Sequence, residues 1–173
     1  KTNSSIYLGK TDALLGNRIT KLLSFRGYLI IGTNDNGVII FNGKRVIRKI
    51  STEDGLSGNI IRCFSSAGNF LWVGTDKGLD KIDMSSPGFP VVANYSSLDG
   101  LANSLINGVW VENNMVFVAT SSGLSYFDET KMTRESICKL IVTDIVVKDR
   151  HLQARDSILK IPNSENSIFV EFV

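Results

Sequence analysis

The chain has 173 residues, of which 43% are hydrophobic, and this is enough for one ordinary globular domain or slightly more. Its formal net charge of +2 argues against nucleic acid as the main partner, and no apolar run approaches the roughly 18 residues of a membrane-spanning helix. The first residue is Lys1 and no signal peptide is visible, so we expect a segment of a longer protein that makes no membrane contact itself.

A pattern of short β-strands bounded by Gly, Asn, Asp and Ser turns occurs three times along the chain. In the second copy a turn at Asp54-Gly55 precedes predicted strands at 60–65, 70–75 and 79–83, and residues 91–95 supply a fourth. The other copies begin at Asp12 and Asp99, so the period is 42 and then 45 residues. A β-rich repeat of about 40–45 residues with four strands is typical of a propeller blade.

These repeats predict an all-β fold, a β-propeller fragment with four-stranded blades at residues 12–53, 54–98 and 99–138. Residues 1–11 contain a β-like run at 6–8, which we interpret as the outer strand of a preceding blade. Three blades cannot close a ring of roughly four to eight, so we expect further blades, mainly N-terminal to this chain. Residues 139–173 hold β-runs without the repeat pattern and predict the incomplete start of a second β domain.

One polar position recurs near the start of the innermost strand, where a core would favour an apolar residue. Antiparallel connections also place two turns of each repeat, before strand one and after strand two, at the same end of the blade. We therefore predict a ligand-binding site at this end, formed by Thr20, Arg62, Asn107, Asn34, Asp76, Lys77 and Ser121. The alternative is that the polar position forms only a solvated channel wall.

The ligand that these residues suit is a soluble oligosaccharide, because sugars need convergent donors and acceptors. An anionic sugar is included, since the guanidinium of Arg62 can fork onto a carboxylate or sulfate. Basic residues also cluster around the first outer strand, at Lys44, Arg45, Arg48 and Lys49. They indicate either an edge strand protected by charge or an anion-binding patch.

Aromatic and small residues recur in the second strand of the repeats. Trp72 and Phe117 are predicted to pack between neighbouring blades, and Ile30 fills the same position less completely. The glycine that follows at position 74 predicts a bend or a close backbone approach, although the third repeat has Ala119 there.

No catalytic, metal or cofactor motif is convincing, so we expect no cofactor and no enzymatic activity in this segment. Asp80 and Asp83 have no matching pair in the other repeats, which argues against a glycosidase-like acid pair. His151 is the only histidine, and the two cysteines, Cys63 and Cys138, match no metal spacing. The Asp-Gly pairs are interpreted as turns, in which Asp bonds the backbone and Gly supplies a positive φ.

The second repeat resembles the two-component-regulator propeller repeat. The residues that carry this resemblance are Asn59, Ile61, Arg62, Leu71, Trp72, Gly74, Thr75, Gly78 and Leu79. The tail resembles the start of the immunoglobulin-like triple-tyrosine domain that follows such propellers, through Ile141, Thr143, Ile145, Val147, Leu159, Ile161, Asn166, Ile168 and Phe172.

The resemblance implies a periplasmic ligand-sensing region of a hybrid two-component system, as found in Bacteroides-type bacteria. In such proteins a membrane helix links the sensor to a histidine kinase, and the parent sensor self-associates as a dimer. The expected function is glycan sensing without catalysis. Two alternatives stay open, a fragment of a propeller glycan hydrolase or lyase and a structural propeller that binds a protein partner.

Overall fold

The computed structural model describes residues 5–132, 142–147, 150–152 and 168–172. The chain divides into one compact unit at Lys1–Met132 and a second at Thr133–Val173. Within the described ranges the regular structure consists of β-strands and single turns of 3-10 helix, with no α-helix. The prediction of an all-β fold is confirmed.

Three antiparallel sheets, one per repeat, form the first unit. Sheet 1 has strands β1 to β4 and sheet 2 has β5 to β8, each in sequential order. Their bounds are β1 Ile19–Phe25, β2 Tyr28–Thr33, β3 Val38–Phe41, β4 Val46–Ile50, β5 Ile61–Ala67, β6 Phe70–Thr75, β7 Leu79–Asp83 and β8 Val91–Tyr95. The four-stranded prediction is therefore confirmed for the first two repeats.

Sheet 3 contains three strands among the described residues, in the order β11-β10-β9. They are β9 Ile106–Glu112, β10 Met115–Thr120 and β11 Gly123–Asp128, followed by a 3-10 turn at Glu129–Lys131. The part of the third repeat beyond Met132, including Cys138, lies outside the described residues, so its predicted fourth strand stays a prediction. The boundary of this repeat at residue 138 stays a prediction.

The second unit contains a three-stranded antiparallel sheet in the order β13-β12-β14. Its strands are β12 Val142–Val147, which includes the Thr143 and Ile145 positions of the resemblance, β13 Arg150–Leu152, and β14 Ile168–Phe172. Val147 is buried in this sheet. The immunoglobulin-like sandwich predicted for residues 139–173 stays a prediction.

The run at residues 6–8 does not form the strand predicted for it. A single 3-10 turn occupies Leu8–Lys10, and the backbone amides of Thr11 and Asp12 both donate to the carbonyl of Leu8. An extended strand would need a neighbouring strand to satisfy these groups, and none of the described residues supplies one. The local turn satisfies them instead. An origin of residues 1–11 in a preceding blade is untested.

The Asp-containing turns cap themselves, as predicted. The Asp54 carboxylate accepts a hydrogen bond of 3.0 Å from the Ser51 amide, and Gly55 follows at φ 102°. Ser96 and Asp99 repeat this arrangement before Gly100. The carboxylates therefore accept hydrogen bonds from their own turns, and this local capping is enough to explain why Asp recurs.

Apolar side chains fill the space between successive sheets. Ile30 and Ile40 of sheet 1 pack with Leu71 and Val73 of sheet 2. Trp72, only 1% exposed, lies between sheets 2 and 3 and stacks on Tyr95 at 5.8 Å between ring centroids. Face-to-face stacking of twisted antiparallel sheets is the propeller-like arrangement that the repeats predicted.

Phe117 occupies the position equivalent to Trp72 but does not lie between two sheets in the described part of the chain. It is half-buried and stacks on Tyr126 of its own sheet, at 5.9 Å between ring centroids. Its face of sheet 3 corresponds to the face that carries Trp72 in sheet 2, and neither sheet 1 nor sheet 2 packs against it. Ile30 occupies the same position in the first repeat. Although its side chain is smaller than that of Trp72, it is completely buried.

The recurring glycine makes room for an isoleucine from the next repeat. A Cβ built at Gly74 would lie 2.7 Å from Cγ2 of Ile106, and one at Gly32 would lie 2.7 Å from Cγ2 of Ile61. Both distances are shorter than ordinary carbon–carbon contacts of about 3.5 Å. Ala119 occupies the third position, where no further repeat follows among the described residues. The predicted close approach is confirmed, and it explains why alanine is tolerated in the third repeat.

Candidate functional site

A β-bulge occurs at the polar position of every repeat. The pairing of β1 with β2 skips one residue between Ile19 and Lys21, which leaves Thr20 unpaired. The same irregularity leaves Arg62 and Asn107 unpaired in sheets 2 and 3. A bulge re-aims the extra side chain away from the sheet's regular alternation. The polar residues are therefore compatible with the fold because the backbone removes them from the core-facing pattern.

The side chains at the bulges connect neighbouring repeats. Thr20 Oγ1 donates to the carbonyl of Ile61 at 2.7 Å, and Arg62 Nε donates to the equivalent carbonyl of Ile106 at 3.0 Å. Arg62 Nη2 also donates to Oδ1 of Asn107 at 2.7 Å. These bonds join the innermost strands of adjacent sheets. Thr20 and Arg62 are thus more than a solvated wall, because both take part in contacts between sheets.

A cavity of about 280 Å³ lies at this position. Its lining comprises four of the predicted site residues together with three others: Thr20, Asn34, Arg62, Asn107, Lys21, Ile60 and Ile61. The structure therefore brings together the three bulge residues and one turn residue. Lys21 was missed because strict alternation places it on the opposite side of the strand from Thr20, and the bulge breaks that alternation.

The three remaining predicted site residues belong to the turns after the second strand and do not line this cavity. The Lys77 amide donates to Thr75 Oγ1 at 3.1 Å, and the Ser121 amide donates to the carbonyl of Leu105 at 3.1 Å. Asp76 Oδ1 is buried and has no hydrogen-bond partner among the described residues. Asn34, which occupies the same turn position in the first repeat, does line the cavity.

The cavity is electrostatically one-sided. Lys21 and Arg62 contribute two cations, and no acidic side chain of the described residues lines it. Arg62 uses Nε and one Nη2 hydrogen in the bonds between sheets, so the edge formed by Nη1 and Nη2 keeps its donors for a ligand. Such an edge fits a carboxylate or sulfate in a bidentate pair. The chemistry of the lining therefore favours an anionic or hydroxyl-rich ligand.

Asp80 and Asp83 are each held by local hydrogen bonds. Asp80 is fully buried and accepts hydrogen bonds from the Ser57 hydroxyl at 2.6 Å and from Asn94 Nδ2 at 2.7 Å. Asp83 accepts from the hydroxyls of Ser85 and Ser86, both at 2.6 Å, and these bonds lower its pKa to about 2. Each carboxylate therefore accepts hydrogen bonds from side chains close to it in the fold.

The contact between Asp80 and the turn before the first strand has an equivalent in the third repeat, where a serine replaces the aspartate. The Ser57 amide donates to Asp80 at 3.1 Å, and in the third repeat the Ala102 amide donates to Ser125 Oγ at 2.9 Å. In both cases the third strand is tied to the turn that precedes the first strand. Burial raises the pKa of Asp80 to about 6, although its hydrogen bonds oppose that shift.

Cys63 and His151 are two further potentially reactive residues. Cys63 is a free thiol in the core, and burial raises its pKa to about 11. No group of three or more His, Cys, Asp and Glu side chains within the described ranges is placed to hold a metal ion. His151 lies in strand β13 of the second unit. A helix capable of crossing a membrane is not found among the residues that the structure describes.

No protein-family model matches the sequence, and no curated protein matches it either. Solved structures do share the fold. The extracellular domain of the proposed hybrid two component system BT3049 from B. thetaiotaomicron superposes with a TM-score of 0.53 and 22% identity, over 63% of this chain and 15% of that structure.

Two structures of an extracellular domain named BT4673, from the same organism, give similar results. One, described as part of a proposed one component system, has a TM-score of 0.53 and 21% identity over 75% of this chain and 18% of its own. The other, described as part of a proposed hybrid two component system, has a TM-score of 0.50 and 19% identity over 78% of this chain and 17% of its own.

At identities of 19–22% this likeness establishes the fold and nothing further. The described residues define a propeller-like array of repeated antiparallel sheets, the class of fold that these extracellular domains share with the chain. The chain spans 15–18% of the length of the three structures.

Proposed function

We propose that this chain is part of the extracytoplasmic ligand-sensing region of a hybrid two-component sensor, and that it binds an oligosaccharide without catalysing a reaction. The ligand occupies the cavity beside Thr20, Lys21 and Arg62, and acidic sugars are preferred over neutral ones. The parent protein is a dimeric sensor of the periplasm, whose signal reaches a histidine kinase through a membrane helix.

The observation that carries this proposal is the cavity itself, in which two cations and several neutral hydrogen-bonding groups converge. Arg62 is held in place by Ile106 and Asn107, so an anionic ligand meets a guanidinium whose orientation is already fixed. Pre-organisation of this kind lowers the entropy lost on binding. The fold shared with extracellular domains of sensor systems supports the proposed location and role.

The test is calorimetric titration of the purified chain with a panel of defined oligosaccharides, in which neutral sugars are matched with uronate-containing and sulfated ones. Lys21→Ala is the cleaner variant, because Lys21 makes no described side-chain bond that holds the fold together. We expect it and Arg62→Ala to weaken binding of the acidic sugars by roughly 1.5–3 kcal/mol, which is about 10- to 150-fold. Unchanged affinity in both variants would mean that the polar residues at the bulges have only a structural role.

Arg45→Ala is the matched control, because Arg45 is an exposed cation in the loop between β3 and β4 and does not line the cavity. It belongs to the basic cluster around the outer strand β4, in which Arg48 pairs with Asp54 at 2.7 Å. Loss of binding in Arg45→Ala, with Lys21→Ala unaffected, would favour the anion-binding patch that the sequence left open. Thermal melting of each variant separates loss of ligand contacts from loss of fold.

A further inference from the structure

Asparagine is followed by glycine three times in the chain, at Asn36-Gly37, Asn42-Gly43 and Asn107-Gly108. Such a pair is prone to lose the side-chain amide, because the backbone nitrogen of glycine, which no side chain shields, can attack Cγ of the asparagine. The three pairs are equivalent in sequence. The structure distinguishes them, since the attacking nitrogen and the carbonyl group that it attacks have different surroundings in each pair.

Two of the three pairs are held by the packing of the sheets. The Gly37 amide donates to the carbonyl of Asn59 in the next repeat at 3.0 Å, and a Cβ built on Gly37 would overlap the carbonyl oxygen of Ile50. Gly108 lies inside strand β9, where it pairs with Ala119 of β10. The attack needs the backbone around the asparagine to rotate, and paired or packed backbone opens only rarely.

The third pair forms the tip of the hairpin between β3 and β4. Residues 42–45 are all exposed, and the Gly43 amide donates to no other group among the described residues. Gly43 has a φ of 86°, and a Cβ built on it would have no neighbouring atom within 4 Å. The nitrogen is therefore accessible as a nucleophile, and the backbone around it has room to rotate, as is common at loop tips.

The side-chain carbonyl of Asn42 is positioned for this attack. Its Oδ1 accepts hydrogen bonds from the Lys44 amide at 3.0 Å and from the Arg45 amide at 2.9 Å. Because both partners are donors, the atom that they contact is the oxygen of the side-chain amide. Negative charge develops on this oxygen when a nitrogen attacks Cγ, and two backbone amides directed at it stabilise that charge. The cations of Lys44 and Arg45 favour the same charge.

We propose that Asn42 is a site of self-modification, at which the Gly43 nitrogen displaces the side-chain amide. The new bond joins the Gly43 nitrogen to Cγ of Asn42, the bond from Cγ to Nδ2 breaks, and the proton of the Gly43 amide leaves with the released ammonia. The product is a cyclic succinimide. Water then adds to one of its two carbonyl groups and opens the ring, which gives aspartate or isoaspartate. Water is consumed and ammonia is released in the whole sequence.

The modification changes the charge of the basic cluster formed by Lys44, Arg45, Arg48 and Lys49. A carboxylate replaces a neutral amide at the hairpin tip, so the formal net charge falls by one from +2. Arg48 already pairs with Asp54 at 2.7 Å, whereas the side chains of Lys44 and Arg45 have no described partner. The new carboxylate therefore offsets charge that is otherwise unpaired. This inference does not rest on the function proposed for the cavity beside Arg62.

Mass spectrometry of the folded and the unfolded chain tests the proposal. The full chain is incubated in mildly alkaline buffer made with water enriched in a heavy oxygen isotope, with and without urea. It is then digested in ordinary water, so only conversion during the incubation places the label in the new carboxylate. Chymotrypsin cleaves after Phe41 and so separates Asn36 from Asn42. In the folded chain we expect Asn42 to convert at least about tenfold faster than Asn36 and Asn107. In urea the three rates should be similar, because only folding distinguishes the pairs.

Two variants check the chemical route. Gly43→Ala should slow the conversion at least about tenfold, because its methyl group shields the attacking nitrogen, and the hairpin tip has space for that group. Asn42→Asp is the reference for the product, and it should elute from a cation-exchange column earlier than the parent chain, together with the converted material. Thermal melting of both variants verifies that the fold is retained.

Three results would overturn the proposal. The first is conversion of the three pairs at equal rates in the folded chain. The second is the absence of label at Asn42 in the folded chain, whatever happens in urea. The third is conversion of Asn42 at the parent rate in Gly43→Ala with the fold intact.

Discussion

Replacing Gly74 by alanine should destabilise the chain, because the added methyl group enters space that the neighbouring repeat already occupies. The new Cβ would overlap Sγ of Cys63 and lie 2.7 Å from Cγ2 of Ile106. Overpacking of this kind costs about 1–3 kcal/mol. Alanine regains about 0.5–1 kcal/mol relative to glycine in the interior of a strand. The expected net loss in the free energy of unfolding is therefore roughly 0.5–2 kcal/mol.

Urea unfolding followed by tryptophan emission measures this loss, and Ala119→Gly is the matched control. Ala119 is the equivalent residue of sheet 3, where its methyl is already accommodated, so its removal should cost only about 0.5–1 kcal/mol. Ile106→Ala should cost less in the Gly74→Ala background than in the parent, because the smaller side chain makes room for the methyl. Parent-like stability of Gly74→Ala, or full additivity with Ile106→Ala, would refute the explanation of the recurring glycine.

Three further predictions concern charge and exposed surface. The native pKa of Asp80 is raised from 3.8 to about 6, so the native state keeps a proton that the unfolded state releases. This group's contribution to the free energy of unfolding should therefore fall by about 2 kcal/mol as pH rises from 4 to 6, out of about 3 kcal/mol lost in total as pH rises from well below the unfolded pKa to well above the native pKa. Asp80→Asn should remove that slope in a pH series of urea unfolding, and parallel profiles would contradict the assignment. Lys81→Met should cost about 1–2 kcal/mol by losing the ion pair and ring contacts, whereas Lys131→Met, whose pair is exposed, should change thermal stability by less than about 0.5 kcal/mol. The isolated chain should self-associate through the exposed face that carries Leu124 and Tyr126. Leu124→Lys should then reduce the mass measured by light scattering. A parent chain that is a monodisperse monomer with a cooperative melt would count against this prediction.

Strand positions could be predicted well because the turn residues mark them. The predicted runs at 70–75, 79–83 and 91–95 coincide with β6, β7 and β8. Each is bounded by residues whose turn preference is strong, such as Gly68 with φ of 57°. The predicted strand at 60–65 begins one residue too early and ends two too soon, since its ends depend on pairing with β6 rather than on a breaker residue. Local chemistry predicts turns more reliably than it predicts pairing limits.

The N-terminal run could not be predicted from local propensity alone. Ile6 and Tyr7 have the side chains of a strand, but a strand forms only where a partner satisfies its amides and carbonyls. Both residues are exposed, and a 3-10 turn follows them. Their conformation depends on tertiary neighbours that the local pattern does not reveal.

The composition of the cavity was only partly predictable, for a similar reason. Thr20, Arg62 and Asn107 could be identified because a polar residue recurs where an apolar one is expected. Lys21 could not, because its side is decided by the bulge between Ile19 and Lys21.

Comparison of the repeats distinguishes two kinds of residue. Some make the same structural contact in every repeat, whereas the residue at the bulge varies. Thr75 illustrates the first group, because its hydroxyl donates to the carbonyl of Gly78 at 2.9 Å, and the equivalent bonds of Thr33 and Thr120 have the same length. The bulge residue is different in every repeat, yet Thr20 and Arg62 reach equivalent carbonyls of the next inner strand. A hydroxyl uses its single donor in that bond, whereas a guanidinium has donors left over. If the proposed function is correct, substitution at the bulge should therefore change which ligand the cavity accepts while the connection between sheets is kept, provided that the new side chain still donates to that carbonyl.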